Sequence, residues 1–351
     1  MKLKATALVL AALAMAGCTE DVATAPSAAS GEKVVLKVSH FWPATAMAQK
    51  KVLEPWCQTI EQQSQGQMVC QFYPAMQLGG TPQQLFDQVM DGVADIVFSL
   101  PGNNAGRFPS MEVMELPFLT RDAESSSRVA WQIYEEFGQK DFANLKPLAF
   151  NVHDRGQFHN NVRPITKIED LKGLKLRAPT RLTNKMLEAY GATPVSLPLP
   201  SLTDSLSKGV VDGYVLPWEV VPTLKLHEMT KYHSEINEPD PVLYSTLFTI
   251  AMNKQRYNSL PDNLKKIIDD NSGADFSASI GKAWDDELAP ARAHAVDNGN
   301  AINTIDSAEV KRFEEAAKKV ESDWISEMNA KGYDGQAMVN RAKELVAAAA
   351  K

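Results

Sequence analysis

Between residues 174 and 216 the chain alternates strand-like and helix-like periodicity, and that alternation restricts the fold more than any other stretch. Leu174-Lys175-Leu176-Arg177-Ala178 alternates as a strand does and ends at Pro179. Thr180 then supplies an N-cap oxygen for a helix over residues 180–190, which stops at Gly191. An apolar connector, residues 195–200, leads to Ser201-Leu202-Thr203-Asp204, a start resembling a capping box. The second helix stops at Gly209, and Val210-Val211-Asp212-Gly213-Tyr214-Val215-Leu216 reads as the next strand. Strand, helix, connector, helix, strand describes an α/β lobe, in which ligands sit beyond the carboxyl ends of the strands. Arg177 and Leu216-Pro217-Trp218 occupy two such ends.

The same plan is expected earlier in the chain. Val34-Val35-Leu36-Lys37-Val38-Ser39 reads as a strand running into His40-Phe41-Trp42-Pro43; a helix over residues 45–64 and a strand over residues 68–73 follow. Pro82 opens a helix that Gly92 ends, and Val93-Ala94-Asp95-Ile96-Val97-Phe98 leads to Ser99-Leu100-Pro101. Gly92-Val93-Ala94-Asp95 before Leu100-Pro101 echoes Gly209-Val210-Val211-Asp212 before Leu216-Pro217. Two lobes built on one plan would produce that echo, as would chance. Asp95 and Asp212, each just after a helix-ending glycine, fit turn or capping roles better than acid–base work. Further on, residues 123–137 read as a helix, residues 244–250 as a strand, and Pro290 as an interruption of a long helix from residue 272. Residues 307–351 read as amphipathic and helical.

At the N-terminus, Lys2 and Lys4 precede an apolar run over residues 5–16, too short to span a bilayer as an ordinary helix. Residues 1–17 are therefore read as a signal peptide and residues 18–32, rich in Ala, Ser and Thr, as a tether. Ala14-Met15-Ala16-Gly17-Cys18 fits a lipobox, with cleavage after Ala16 as the alternative; lipidation at Cys18 is the expectation because it leaves no odd thiol. In an oxidising compartment Cys57 and Cys70 are read as a disulfide, two separately buried thiols being the alternative. A net charge of −7 argues against a nucleic-acid surface, and no metal site or cofactor is expected.

Asp170-Leu171-Lys172-Gly173-Leu174-Lys175-Leu176-Arg177-Ala178-Pro179, Gly191-Ala192-Thr193-Pro194 and Gly209-Val210-Val211-Asp212-Gly213, in that order and spacing, resemble the core signature of the DctP-type solute-binding proteins. These are the extracytoplasmic receptors of tripartite ATP-independent periplasmic (TRAP) transporters. The resemblance implies an α/β periplasmic-binding-protein architecture of two lobes with the ligand cleft between them, and a long C-terminal helix spanning both. The lobes are placed at residues 33–152 with 241–280, and at residues 153–240 with 281–351. No reaction is expected; the partners implied are a small carboxylate ligand and the small and large TRAP membrane subunits.

In that family the Arg of the L-R-x-P motif clamps the ligand carboxylate, which points to Arg177; a guanidinium fork offers two parallel donors, strongest in a poorly hydrated cleft. Where many members carry a second Arg, this chain has Gly156, which would leave space for a ring, with Arg155 beside it. Leu216 and Leu199 stand at two further cleft positions, and Phe41, Trp42, Leu100 and Asn103 at those of the first lobe. Trp218 either lines the cleft or closes a hinge. On a strand, His153, Arg155, Gln157 and His159 would share one face, so Arg155 and His159 are candidates for a second donor. Such a pocket suits an apolar or aromatic monocarboxylate or 2-oxo acid; it suits a sugar acid badly, because each buried hydroxyl needs a partner. A C4-dicarboxylate or sugar-acid receptor, a receptor subunit for a membrane sensor and an exported carboxylate enzyme are the alternatives.

Overall fold

The computed structural model describes residues 33–349; the expected signal peptide, tether and lipidated Cys18 lie outside the described residues. Two sheets organise the chain. The first has the order β2 (Met68–Tyr73), β1 (Val34–His40), β3 (Ile96–Ser99), β10 (Leu247–Asn253), β4 (Leu145–Val152). The second has the order β7 (Thr193–Ser196), β6 (Lys175–Ala178), β8 (Gly213–Leu216), β5 (Gln157–Asn160), β9 (Tyr232–Glu235), β11 (Ala301–Thr304). In each, three parallel strands are followed by an antiparallel one that the chain brings across from the other half: β10 against β3, and β5 against β8.

The echo in the sequence is thus a structural repeat. Asp95 gives its N–H to the Lys37 carbonyl at 2.9 Å, and its carboxylate accepts the Lys37 N–H at 2.8 Å. Asp212 does the same with Lys175, both bonds at 2.8 Å. Each aspartate ties the start of a parallel strand to its neighbour, so both are structural.

Helices cover the sheets. The first, expected over residues 45–64, begins as a wider π-wound segment, Ala48–Leu53, and continues as α1 (Glu54–Gln63). Pro55, which has no N–H to give to the preceding turn, stands at that junction. Cys57 on α1 is disulfide-bonded to Cys70 on β2, with Cα atoms 5.9 Å apart. Next come α2 (Leu85–Met90) and α3 (Ala123–Ile133), the latter capped by Asp122, which accepts the Ser125 N–H at 2.7 Å. In the second lobe α4 (Arg181–Ala189) starts at the Thr180 cap, whose N–H reaches Thr183 Oγ1 at 2.9 Å, and α5 (Leu202–Ser207) precedes β8.

The long helix α6 (Ala274–Asp297) runs through Pro290 without the expected interruption. Pro290 is exposed, so the carbonyl that loses its donor faces water. One end of α6 packs on α3 and β4, and the other reaches the second lobe, where Arg292 grips Glu235 in two bonds of 2.7 and 3.0 Å. Of the two final helices, α7 (Ser307–Ala330) packs on α4 and α8 (Gly335–Ala349) on α3 of the first lobe. The chain crosses between sheets at residues 153–156 and 236–246, and again through α6.

Candidate functional site

The carboxyl ends of β1, β3, β6, β7 and β8 converge on one cavity with about 460 Å³ of empty space, part of it open to solvent. Phe41, Trp42, Leu100 and Asn103 face it from the first lobe, following β1 and β3; Arg177, Leu199 and Leu216 face it from the second. The crossing segments close it with His153, Tyr244 and Thr246, and β10 with Phe248. The apolar wall is built on a cluster of rings: Trp42 lies 3.9 Å from Phe41, 4.9 Å from Phe98 and 5.5 Å from Phe248 between centroids.

Arg177 is the charge in this wall. It is 3% exposed; its Nε donates to the Leu197 carbonyl at 2.9 Å, and its Nη1 is buried with no hydrogen-bond partner among the described residues. Burial holds its pKa down at about 10, which leaves it cationic at neutral pH. No carboxylate neutralises it among the described residues. Asp154 is buried near the same crossing, and burial, followed by Asp285 and Glu219, pushes it well above the usual carboxylate range, towards its neutral form. A buried, incompletely bonded cation costs several kcal/mol of desolvation, offset only when a counter-charge arrives.

His153 is neutral, burial taking its pKa down to about 4. Its Nδ1 meets the Asp154 carbonyl at 2.5 Å and its Nε2 accepts the Thr246 N–H at 3.0 Å, so both ring nitrogens are engaged.

Four expected site residues lie elsewhere. Arg155 points to the return crossing, donating to the carbonyls of Ile236 (3.0 Å), Asp240 (2.6 Å) and Pro241 (3.2 Å). His159 sits inside the second lobe, 3.1 Å from the Leu216 carbonyl and 2.6 Å from His233 Nδ1, stacked on Tyr214. The expected shared face fails because β4 ends at Val152 and β5 begins at Gln157, with a bend between that resets the alternation. Gly156 does make space for a ring, but the ring is that of Tyr244. Trp218 is fully buried, its Nε1 donating to Glu235 at 2.8 Å, and it belongs to the Arg292–Glu235 network at the end of α6.

Tyr244, Thr246 and Phe248 are the functional candidates that the sequence reading missed. Their alternate spacing carried the signal, since side chains two apart on an extended segment share a face. The expected strand over residues 244–250 in fact begins at Leu247, and Tyr244 and Thr246 precede it at the cavity.

Comparison with known proteins agrees with this arrangement. The family described as "Bacterial extracellular solute-binding protein, family 7" matches residues 38–327. A TRAP solute-binding protein from Rhodoferax ferrireducens, crystallised with copurified benzoate, is 42% identical, with a TM-score of 0.89 over 91% of this chain and 99% of its own. A marine-metagenome TRAP solute-binding protein specific for aromatic acid ligands, crystallised with 3-hydroxybenzoate, is 41% identical, with a TM-score of 0.89 over 92% and 100% of the two chains. A TRAP solute-binding protein from Bordetella bronchiseptica, with (R)- and (S)-mandelate bound, is 27% identical, with a TM-score of 0.82 over 89% and 98%. On this evidence the chain belongs to the bacterial extracellular solute-binding proteins of family 7, the DctP-type receptors of TRAP transporters, which bind solutes rather than transform them.

Proposed function

We propose that the chain captures an aromatic monocarboxylate in this cavity, clamps its carboxylate on Arg177 and delivers it to TRAP membrane subunits. The observation that carries the reading is the buried guanidinium nitrogen without a partner among the described residues, set in an apolar, ring-lined wall. The carboxylate supplies the missing counter-charge, and closure around it excludes water, which strengthens the pairing. The ring of such an acid finds Phe41, Trp42, Leu100, Leu199 and Leu216, whereas the hydroxyls of a sugar acid find few partners there. Three similar proteins whose bound ligands are aromatic acids support the same class. An apolar 2-oxo acid fits the same wall. Anchoring by lipid at Cys18 rests on the lipobox alone, and mass spectrometry of the exported protein tests it.

The experiment is a thermal-shift screen of wild type and Arg177→Lys against benzoate, 3-hydroxybenzoate, an aromatic 2-oxo acid, succinate and glucuronate. A ligand at a hundredfold over its dissociation constant adds about 2.7 kcal/mol. Stabilisation of wild type by the aromatic acids, lost in the variant, is the expected result. Stabilisation by succinate or glucuronate alone would remove the aromatic reading, and equal binding by the variant would remove the clamp. Loss of benzoate uptake in cells lacking TRAP membrane subunits would support delivery.

A further inference from the structure

We infer that Tyr244 and Thr246 determine carboxylate binding with Arg177, their two hydroxyls completing a three-sided cradle around the ligand carboxylate. This rests on the carboxylate reading above. Of the polar side chains facing the cavity, three have a buried polar atom with no partner among the described residues: Arg177 Nη1, Tyr244 Oη and Thr246 Oγ1. All three residues are 3% exposed or less. Native proteins bond nearly all buried polar atoms, so three such orphans at one cavity mark the place where a ligand atom belongs.

The ligand chemistry follows from what each group offers. Arg177 has committed Nε to the Leu197 carbonyl, so its own end of the cradle is narrow. A carboxylate presents two oxygens with about four acceptor positions, more than a single guanidinium edge fills. A phenol and an alcohol hydroxyl are donors that can turn towards those positions. Tyr244 and Arg177 are close enough to influence each other: burial pushes the Tyr244 hydroxyl well above its ordinary value, and the Arg177 charge opposes that.

The backbone that carries both hydroxyls is held in place. The Thr246 backbone N–H is bound to His153 Nε2 at 3.0 Å, and the Tyr244 carbonyl accepts the Gly156 N–H at 3.2 Å. The two crossings between the lobes therefore grip each other on either side of these side chains. His153, with both nitrogens engaged, acts as a positioning residue for Thr246.

The test is calorimetric titration of the protein with benzoate and 3-hydroxybenzoate, for wild type, Tyr244→Phe, Thr246→Val and Thr246→Ser, with unliganded melting recorded for each. Benzoate carries no polar group besides its carboxylate. The expected result is a tenfold or greater loss of benzoate affinity for Tyr244→Phe and Thr246→Val, with affinity retained by Thr246→Ser. Unliganded melting should hold or rise, because each substitution removes a buried hydroxyl without a partner. Unchanged benzoate affinity in both hydroxyl deletions overturns the inference, as does a loss confined to 3-hydroxybenzoate, which would make the hydroxyls readers of a ring substituent. A loss that tracks lowered unliganded melting would make them structural and also overturn it. If wild type binds neither acid, the functional reading itself fails and the cradle falls with it. If wild type binds and both hydroxyl deletions bind benzoate as tightly, the cradle alone fails.

Discussion

Gly156 packs against the ring of Tyr244, so close that a Cβ at position 156 would stand 2.6 Å from both Cδ1 and Cζ. The two residues belong to the two segments by which the chain crosses between lobes, and the absent side chain lets those segments touch. No left-handed backbone is involved at Gly156, so the restriction is steric.

Gly156→Ala should therefore drive the Tyr244 ring towards the cavity. Overpacking of this kind costs about 1–3 kcal/mol. Urea denaturation should show that loss, and benzoate titration should show weaker binding alongside it. Unchanged stability would mean that the ring has room to swing aside.

A second glycine guards the contact between lobes. A Cβ at Gly102, just after β3, would meet Thr180 Cγ2 at 2.6 Å and Cβ at 2.9 Å, at the start of α4. Thr180 is buried and bonded to Thr183, so it has little freedom to retreat. Gly102→Val should hold the lobes apart and weaken benzoate binding by about tenfold, or ~1.4 kcal/mol. Calorimetry checks the affinity, and small-angle scattering with benzoate present should report a larger radius than wild type. Wild-type affinity would show that the cleft closes without this contact.

Arg181 on α4 binds Glu112 of the first lobe, with its Nη2 2.5 Å from Oε2, and Glu327 on α7 at 2.6 Å. Trp324 Nε1 donates to Glu112 at 3.2 Å. The Glu112 side chain is 6% exposed and that of Arg181 25%, so the pair lies between a surface bridge and a buried one. Arg181→Met should cost about 2–3 kcal/mol, below the 3–5 kcal/mol of a fully buried pair broken on one side. Arg181→Met with Glu112→Leu should cost less than the sum of the single changes, with a coupling of about 1–3 kcal/mol in a double-mutant cycle from urea unfolding. Additive costs would show that the pair contributes nothing beyond its separate packing.

What the sequence made legible was local. The strand of residues 174–178, the Thr180 cap and the stop at Gly191 are set by period and end chemistry within a dozen residues, and α4 lies where they place it. The Gly-Val-x-Asp echo was readable for the same reason, although only the paired bonds of Asp95 to Lys37 and of Asp212 to Lys175 show what it does. Arg177 was recognisable through its motif, and its missing partner only through the fold. Arg155, His159 and Trp218 were misplaced because their partners lie far along the chain: Asp240, His233 and Glu235. Tyr244 and Thr246 were missed because being buried without a partner is a property of the tertiary structure that periodicity does not encode.

Buried titratable groups predict a stability maximum on the acidic side of neutrality. Burial lowers His40, His153 and His233 to about 4, and burial followed by His233 takes His159 well below its ordinary value. Between about 4 and 6.5 the unfolded chain binds protons that these native histidines refuse, so stability rises with pH and the gain is complete near 6.5. The buried acids act in the opposite direction: burial raises Glu219 to about 7 and Glu115 to about 8. From about 4.5 up to those values the native state holds protons that the unfolded state has released. Stability therefore falls as pH rises, by on the order of 1 kcal/mol per pH unit for each group. Above 6.5 only the acids remain to titrate, and melting temperature should decline from there to pH 8. Glu115 accepts the Leu247 N–H at 3.1 Å through Oε1, a bond that Gln can keep. Glu115→Gln should thus preserve the fold and flatten the decline between pH 7 and 8, measured by calorimetric melting across that range. An equally steep decline in the variant would assign the proton to another group, and a flat wild-type profile would mean that Glu115 ionises in the folded protein as it does in the unfolded chain.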